Sequence, residues 1–362
     1  MLMKPIQKII LISFLLLLNS CITRFIPQTI DNREFLVVGG LITDQPDTNT
    51  IKLSKSLPLG EKIVANPLKG CIVTISDDFG NTFSLTETVA GTYVTYPATF
   101  KGVVGRFYTL HIYTNSANNS LNYESFPMEM KPVPPIDSLY YEKVTIQERN
   151  EFSGGKEGCQ VYLNTHDPTN QCKFYRWEYS ETWEFHLPYN ITNHNCWVSS
   201  NSIVINIKNT SVLEESTINR YPINFISNLT DRLRIKYSIL VNQYSLNEDE
   251  YFYWEKLQKI TEQVGGLYDI IPSAIPSNVY NLNDLNEKTL GYFSVSANSS
   301  KRIFIKDRFA GVVTPYTDDA CIYHEWIVIG NTLVQVSKFF KFCTDCTIRG
   351  TNIPPDFWIE DK

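Results

Sequence analysis

Few residues in this chain are placed to do chemistry. Cys343-Thr344-Asp345-Cys346 has a spacing shared by redox pairs, half zinc sites and structural disulfides. No strand–helix–strand pattern surrounds it, which disfavours a thioredoxin-like unit, so disulfides involving Cys321, Cys343 and Cys346 are the expected use. His186, His194 and Cys196 fall within eleven residues. Zinc takes such ligands, but the spacing is wide and a fourth is missing, so no metal is expected. His166-Asp167 pairs a base with a carboxylate, but neighbours on a Pro-containing turn seldom face each other. His111 lies in an alternating strand with no His or Cys nearby and reads as solvent-facing or hydrogen-bonded. Asp77-Asp78 and Asp318-Asp319 sit in turn-like polar segments and read as solvated. Phosphate-binding glycine loops, a Gly-x-Ser-x-Gly elbow and His-Glu-x-x-His are absent from the sequence. No catalytic residue and no cofactor is therefore expected, and the chain reads as a non-enzyme. Trp177, Trp183 and Trp197 are the candidates for stacking on a sugar or peptide.

The elements that must position these residues are mainly β. The chain has 362 residues with 43% hydrophobic and 19% charged residues, and 21 Tyr, 20 Phe and 6 Trp favour pleated, half-buried surfaces. The densest aromatic run is Cys172–Phe185. There Tyr175, Trp177 and Tyr179 recur at spacing two, which places them on one face of a strand, with Phe174, Arg176 and Glu178 on the other. Short strands separated by turn chemistry run from 35 to 130 and imply an Ig-like or transthyretin-like β-sandwich. Lys131-Pro132-Val133-Pro134-Pro135 is a stiff connector and marks a domain boundary. Residues 136–362 read as a larger, fibronectin-like β-rich domain with one inserted helix at about 247–264. That helix has Ser245 or Asn247 to cap it, Glu248, Asp249 and Glu250 in its first turn, an apolar track through Tyr251, Trp254 and Leu257 or Gln258, and Gly265-Gly266 to end it. Segment 267–286 reads as extended surface chain, and Leu290–Val295 with Lys301–Ile305 as a closing hairpin.

The amino terminus reads as a processing signal. Lys4 and Lys8 precede an apolar run, Ile9–Leu18, too short to span a bilayer, which takes about 20 residues. Residues 1–20 are thus a signal peptide, and Leu18-Asn19-Ser20-Cys21 resembles a lipobox in which Cys21 becomes the acylated first residue. Residues 21–34 read as a lipidated tether. Removing Lys4 and Lys8 moves the net charge from −6 to −8, and with no basic stripe nucleic acid is not an expected partner. Acyl anchoring at Cys21 leaves seven cysteines, an odd number, so at least one is unpaired within the chain.

Several motifs together resemble a domain-of-unknown-function family of Bacteroidota lipoproteins. They are Leu36-Val37-Val38-Gly39-Gly40-Leu41-Ile42-Thr43-Asp44, Gly102-Val103-Val104-Gly105-Arg106, Thr165-His166-Asp167-Pro168-Thr169-Asn170, Tyr175-Arg176-Trp177-Glu178-Tyr179, Gly291-Tyr292-Phe293-Ser294-Val295-Ser296 and Pro355-Asp356-Phe357-Trp358. The resemblance implies an outer-membrane, lipid-anchored protein, often encoded beside TonB-dependent receptors, that acts as an accessory subunit in nutrient uptake. It carries no catalytic residues over. Asp137-Ser138-Leu139 fits that phylum's short O-glycosylation pattern at Ser138. Ile22-Thr23-Arg24-Phe25 lacks the acidic residues that often mark surface export there, so the face of the membrane stays open. The alternatives are a stand-alone carbohydrate- or peptide-binding lipoprotein using the three tryptophans, and a hydrolase built on His166, His186 or His324.

Overall fold

The computed structural model describes residues 34–57, 66–115, 120–146, 156–189, 193–262, 275–330 and 332–358. The signal peptide, Cys21 and Gly265-Gly266 lie outside the described residues. In chain order the strands are β1 (Leu36–Thr43), β2 (Thr50–Lys55), β3 (Ile72–Asp77), β4 (Thr82–Ser84), β5 (Thr86–Val89), β6 (Thr92–Val94), β7 (Phe107–Tyr113), β8 (Asn122–Ser125), β9 (Met128–Glu129), β10 (Ile136–Ile146), β11 (Lys156–Asp167) and β12 (Phe174–His186). They continue with β13 (Asn195–Asn201), β14 (Asn206–Asn209), β15 (Ser216–Ser227), β16 (Lys236–Ser245), β17 (Val279–Asn281), β18 (Leu290–Ser296), β19 (Asn298–Ile305), β20 (Ile322–Ile329) and β21 (Thr332–Phe339). Helix α1 (Glu248–Glu262) follows β16. The chain is mainly β, as its composition implied.

Two layers form the first sandwich. One sheet runs β18-β1-β2-β6-β5, and the other runs β17-β8-β7-β3-β4, with β9 pairing β7. Alternation explains the core between them: Leu36, Val38 and Ile42 of β1, Ile51 and Leu53 of β2, Val73 and Ile75 of β3, and Tyr108, Leu110 and Ile112 of β7 all point inward. Residues Leu290–Val295 were expected to close a hairpin with Lys301–Ile305, and they do not. β18 lies parallel to β1, from Val37↔Leu290 to Thr43↔Ser296, while β19 leaves to pair β16 in another sheet. The physical reason is burial on both faces: Tyr292 through Ser296 are all buried, which suits a strand covered on both sides and not a solvent-exposed hairpin. β17 likewise pairs β8, within a stretch expected to be extended surface chain. The chain therefore passes between the sandwiches three times, at the connector 131–135, before β17 and between β18 and β19, and the sandwich begun by residues 35–130 is completed by strands about 150–160 residues later.

The second sandwich packs β10-β11-β15 against β13-β12-β16-β19, with β14 beside β12. β12 is central. Tyr175 and Trp177 are wholly buried in its core with Cys159, Val161, Tyr237 and Ile239. The Trp177 indole donates to Gln243 Oε1 at 2.9 Å, and the Gln243 amide donates to the Pro134 carbonyl at 2.8 Å and to Thr165 Oγ1 at 3.1 Å. The stiff connector is thus bonded into the second core. Ser245 Oγ adds a bond to the Lys131 carbonyl at 2.6 Å.

β20 and β21 form a separate two-stranded hairpin. Disulfides join Cys321 to Cys343 across its base and Cys196 of β13 to Cys346. Cys343 and Cys346 therefore have different partners and do not bond each other. Cys71, Cys159 and Cys172 are free thiols, the last two buried, with burial pushing both up to about 12.

Candidate functional site

The residues with the least ordinary surroundings lie where helix α1 bridges the two sandwiches. Phe174, Ile207, Tyr244, Leu246 and Tyr251 form a small apolar cluster under the helix, with Leu41 of β1 and Trp254 against it. The spacing Tyr251, Trp254, Gln258 follows one helical face as expected, and Gln258 donates to the Ile205 carbonyl at 2.7 Å. Tyr253 turns the other way, its ring 4.7 Å from that of Tyr292 on β18. The Asn247 amide donates to the Glu129 carbonyl at 2.9 Å, pinning the start of the helix to the first sandwich.

Two ionisable side chains are sealed beneath this helix. Arg176 projects from the far face of β12 and is only 5% exposed; its guanidinium lies 4.2 Å from the Trp254 ring and 3.1 Å from the Glu178 carboxylate. Glu250 is fully buried. Burial pushes its carboxyl up to about 7, opposed by the nearby Arg176 charge and by hydrogen bonds from Ser294 and Trp254. Arg176 Nε and Glu250 Oε2 are buried there without a hydrogen-bond partner.

Clefts open on both sides of the helix. One, of about 510 Å³, is lined by Phe126, Met128, Phe252, Tyr253, Pro276 and Tyr292, with Phe126 and Phe252 exposed. The other, of about 430 Å³, runs between β1 and the helix past Lys52, Arg176, Glu178, Trp254 and Gly291. Both are in the size range of small-ligand sites, with aromatic walls and a few charged groups at the rim.

A second grouping was not foreseen. The Ser76 hydroxyl lies 2.7 Å from His111 Nε2, and His111 Nδ1 lies 3.3 Å from Glu124 Oε2. The pairings of β3, β7 and β8 bring these together: His111 is opposite Glu124 on one side and Thr74 on the other, two residues from Ser76. The order hydroxyl, imidazole, carboxylate is that of a hydrolase triad. Its setting lacks the other requirement. It lies on an open sheet face, and Ser76 belongs to a strand paired on both sides, opposite Thr82 and Thr109, which uses its backbone donors in the ladders. A triad needs free N–H groups aimed at the developing oxyanion.

The other candidates are dispersed. Trp177 and Trp183 are buried, 0% and 8% exposed, and Trp197 is half-buried with its ring 6.4 Å from Trp358. The stacking platform expected of these three tryptophans is not formed, because Trp177 and Trp183 are buried and Trp197 packs beside Trp358. His166 faces Asp137 at 2.7 Å on the surface, while Asp167 caps its own turn by accepting from the backbone of Thr169, Gln171 and Cys172. His186 meets Glu184 at 2.6 Å, His194 is beside it, and Cys196 is committed to its disulfide. His324 is on the hairpin, 3.1 Å from Ser337 Oγ. Ser138 is half-buried and accepts from the Asn164 amide at 2.8 Å.

Residues 22–302 match the family described as Domain of unknown function (DUF4249). The chain belongs to this family. The match takes in both sandwiches, helix α1 and most of β19, and stops before the hairpin. A search of curated proteins returned no match.

Proposed function

We propose that this DUF4249 member is a lipid-anchored, non-enzymatic accessory subunit of the outer membrane that binds beside a TonB-dependent receptor in nutrient uptake. The observation that carries the binding role is the α1 seam, where two aromatic clefts flank a helix clamped between both sandwiches. Such a surface offers shape and apolar area but no activated nucleophile. Two disulfides in the chain support export to an oxidising compartment, and the lipobox at Cys21 supports acylation there. The receptor is the partner implied by the family resemblance.

Affinity purification of the tagged, acylated protein from detergent-solubilised membranes tests this reading. A TonB-dependent receptor is expected to co-purify, and substitution of Phe252 and Phe126 by Ser to weaken that association. A chain that runs alone under mild conditions counts against it. A second reading, hydrolysis at Ser76–His111–Glu124, rests on the distances above. A serine-directed fluorophosphonate is expected to leave Ser76 unlabelled, and stoichiometric labelling lost in Ser76→Ala would establish the hydrolase instead.

A further inference from the structure

We propose that the β20–β21 hairpin is a membrane-contact element whose tip enters the interfacial layer of a lipid bilayer. The register sets the argument. Directly opposed residues of an antiparallel pair share a face. Ile327 opposes Val334 on one face, and Val328 opposes Leu333 on the other, with Trp326 beside them. The tip is therefore apolar on both faces. Trp326, Val328, Ile329 and Leu333 are 63%, 69%, 58% and 64% exposed. From Trp326 to Ser337 no residue carries a charge. Charge returns only at the base, where Glu325 and Lys338 pair at 2.5 Å and Lys341 follows, among Tyr323, Phe340 and Phe342.

Polarity thus changes along the hairpin axis and not across its faces. A protein docking on one sheet face selects one apolar face and leaves the other polar. A lipid surface entered end-on surrounds the tip and selects this arrangement. The outer strand edges limit the depth, because their backbone N–H and C=O groups cannot be left unpaired in hydrocarbon. Interfacial burial of about 5–10 Å avoids that cost. At about 3.3 Å per residue it takes in two or three residues of each strand, which is the span between Ile327 and Val334. The aromatic base then sits at headgroup level, and Lys341 faces anionic headgroups. The mount is rigid. Cys343 packs in a buried cluster with Phe185, Leu187 and Cys196, and the Tyr189 ring meets Phe339 edge-on at 4.7 Å.

The test removes the proposed acyl anchor so that the two attachments are read separately. The exported chain carrying Cys21→Ser is floated with phosphatidylcholine vesicles, with and without added phosphatidylglycerol. It is expected to float with both, more strongly with the anionic ones. Val328→Asp with Leu333→Asp is expected to weaken binding about tenfold or more, while Lys341→Gln removes only the anionic preference. Both substitutions are on exposed positions, and retention of both disulfides with an unchanged circular dichroism spectrum checks the fold. Failure of the parent to float, or equal flotation of the aspartate variant, overturns the inference. So does a concentration-dependent dimer, lost in that variant, in place of vesicle binding. None of these outcomes bears on receptor co-purification by the acylated protein.

Discussion

Glu250→Gln isolates the buried carboxyl at the seam. In the folded chain this group titrates at about 7 against an ordinary value of 4.5, because burial disfavours its charged form. Between those values the native state holds a proton that the unfolded chain has released, so stability falls as pH rises through this window. At 1.36 kcal/mol per pH unit the loss amounts to about 3 kcal/mol and is complete above pH ~8. Below pH ~4 both states are protonated and the site contributes no pH dependence. Glutamine keeps the shape and cannot ionise. The variant is therefore expected to match the parent near pH 4 and below and to exceed it by about 3 kcal/mol near pH 8. Taking the difference between the two proteins removes titrations they share. Urea unfolding at a series of pH values measures it. A difference that stays flat from pH ~5 to ~8, or a variant that is less stable at the alkaline end, refutes the account.

Gly291 holds φ at +82° opposite Val38, and a β-carbon there would lie 1.9 Å from the Val38 carbonyl oxygen. Gly291→Ala is expected to cost at least ~2 kcal/mol by parting β18 from β1, read as a lowered midpoint in thermal unfolding. Trp177→Phe leaves the buried Gln243 Oε1 without its donor, which should cost about 1–3 kcal/mol in denaturant unfolding. The Cys196–Cys346 disulfide joins positions 150 apart in sequence and Cys321–Cys343 positions 22 apart. On chain entropy their paired removal to alanine should cost about 5 and about 3 kcal/mol respectively, so the first double variant should unfold at the lower denaturant concentration.

What could be read from the sequence was what depends on local alternation. The Tyr175, Trp177 and Tyr179 face of β12, the strands on either side of the Asp77–Asn81 turn and the Tyr251–Trp254 track of α1 are all set by residue spacing, and each forms where expected. The acidic first turn of that helix gave its start equally well. What depends on distant pairing stayed hidden. Spacing put Arg176 on the face of β12 opposite Trp177, but nothing near it in sequence announces the helix that buries it. Cys196 was weighed with His186 and His194 and set aside as a metal ligand, but its true partner, 150 residues on, could not be seen from its neighbours. The Ser76–His111–Glu124 contact likewise needs the registers of three strands at once.

The parallel pairing of β18 with β1 is the largest of these non-local features, and it accounts for the character of the seam. Once β18 pairs with β1, its neighbours are fixed by the sheet. Glycine is the only residue type that fits opposite Val38 at positive φ, and Ser294 lines the cleft beside the helix while Phe293 and Val295 face the core. A small polar side chain leaves room there, and that room is the 430 Å³ cleft beside Arg176. The same closure that ties the sandwiches together therefore produces the cleft and the unpartnered polar atoms around it. Perturbing the closure with Gly291→Ala should consequently weaken receptor association as well as stability, whereas Val328→Asp with Leu333→Asp on the distant hairpin should leave stability within about 0.5 kcal/mol of the parent.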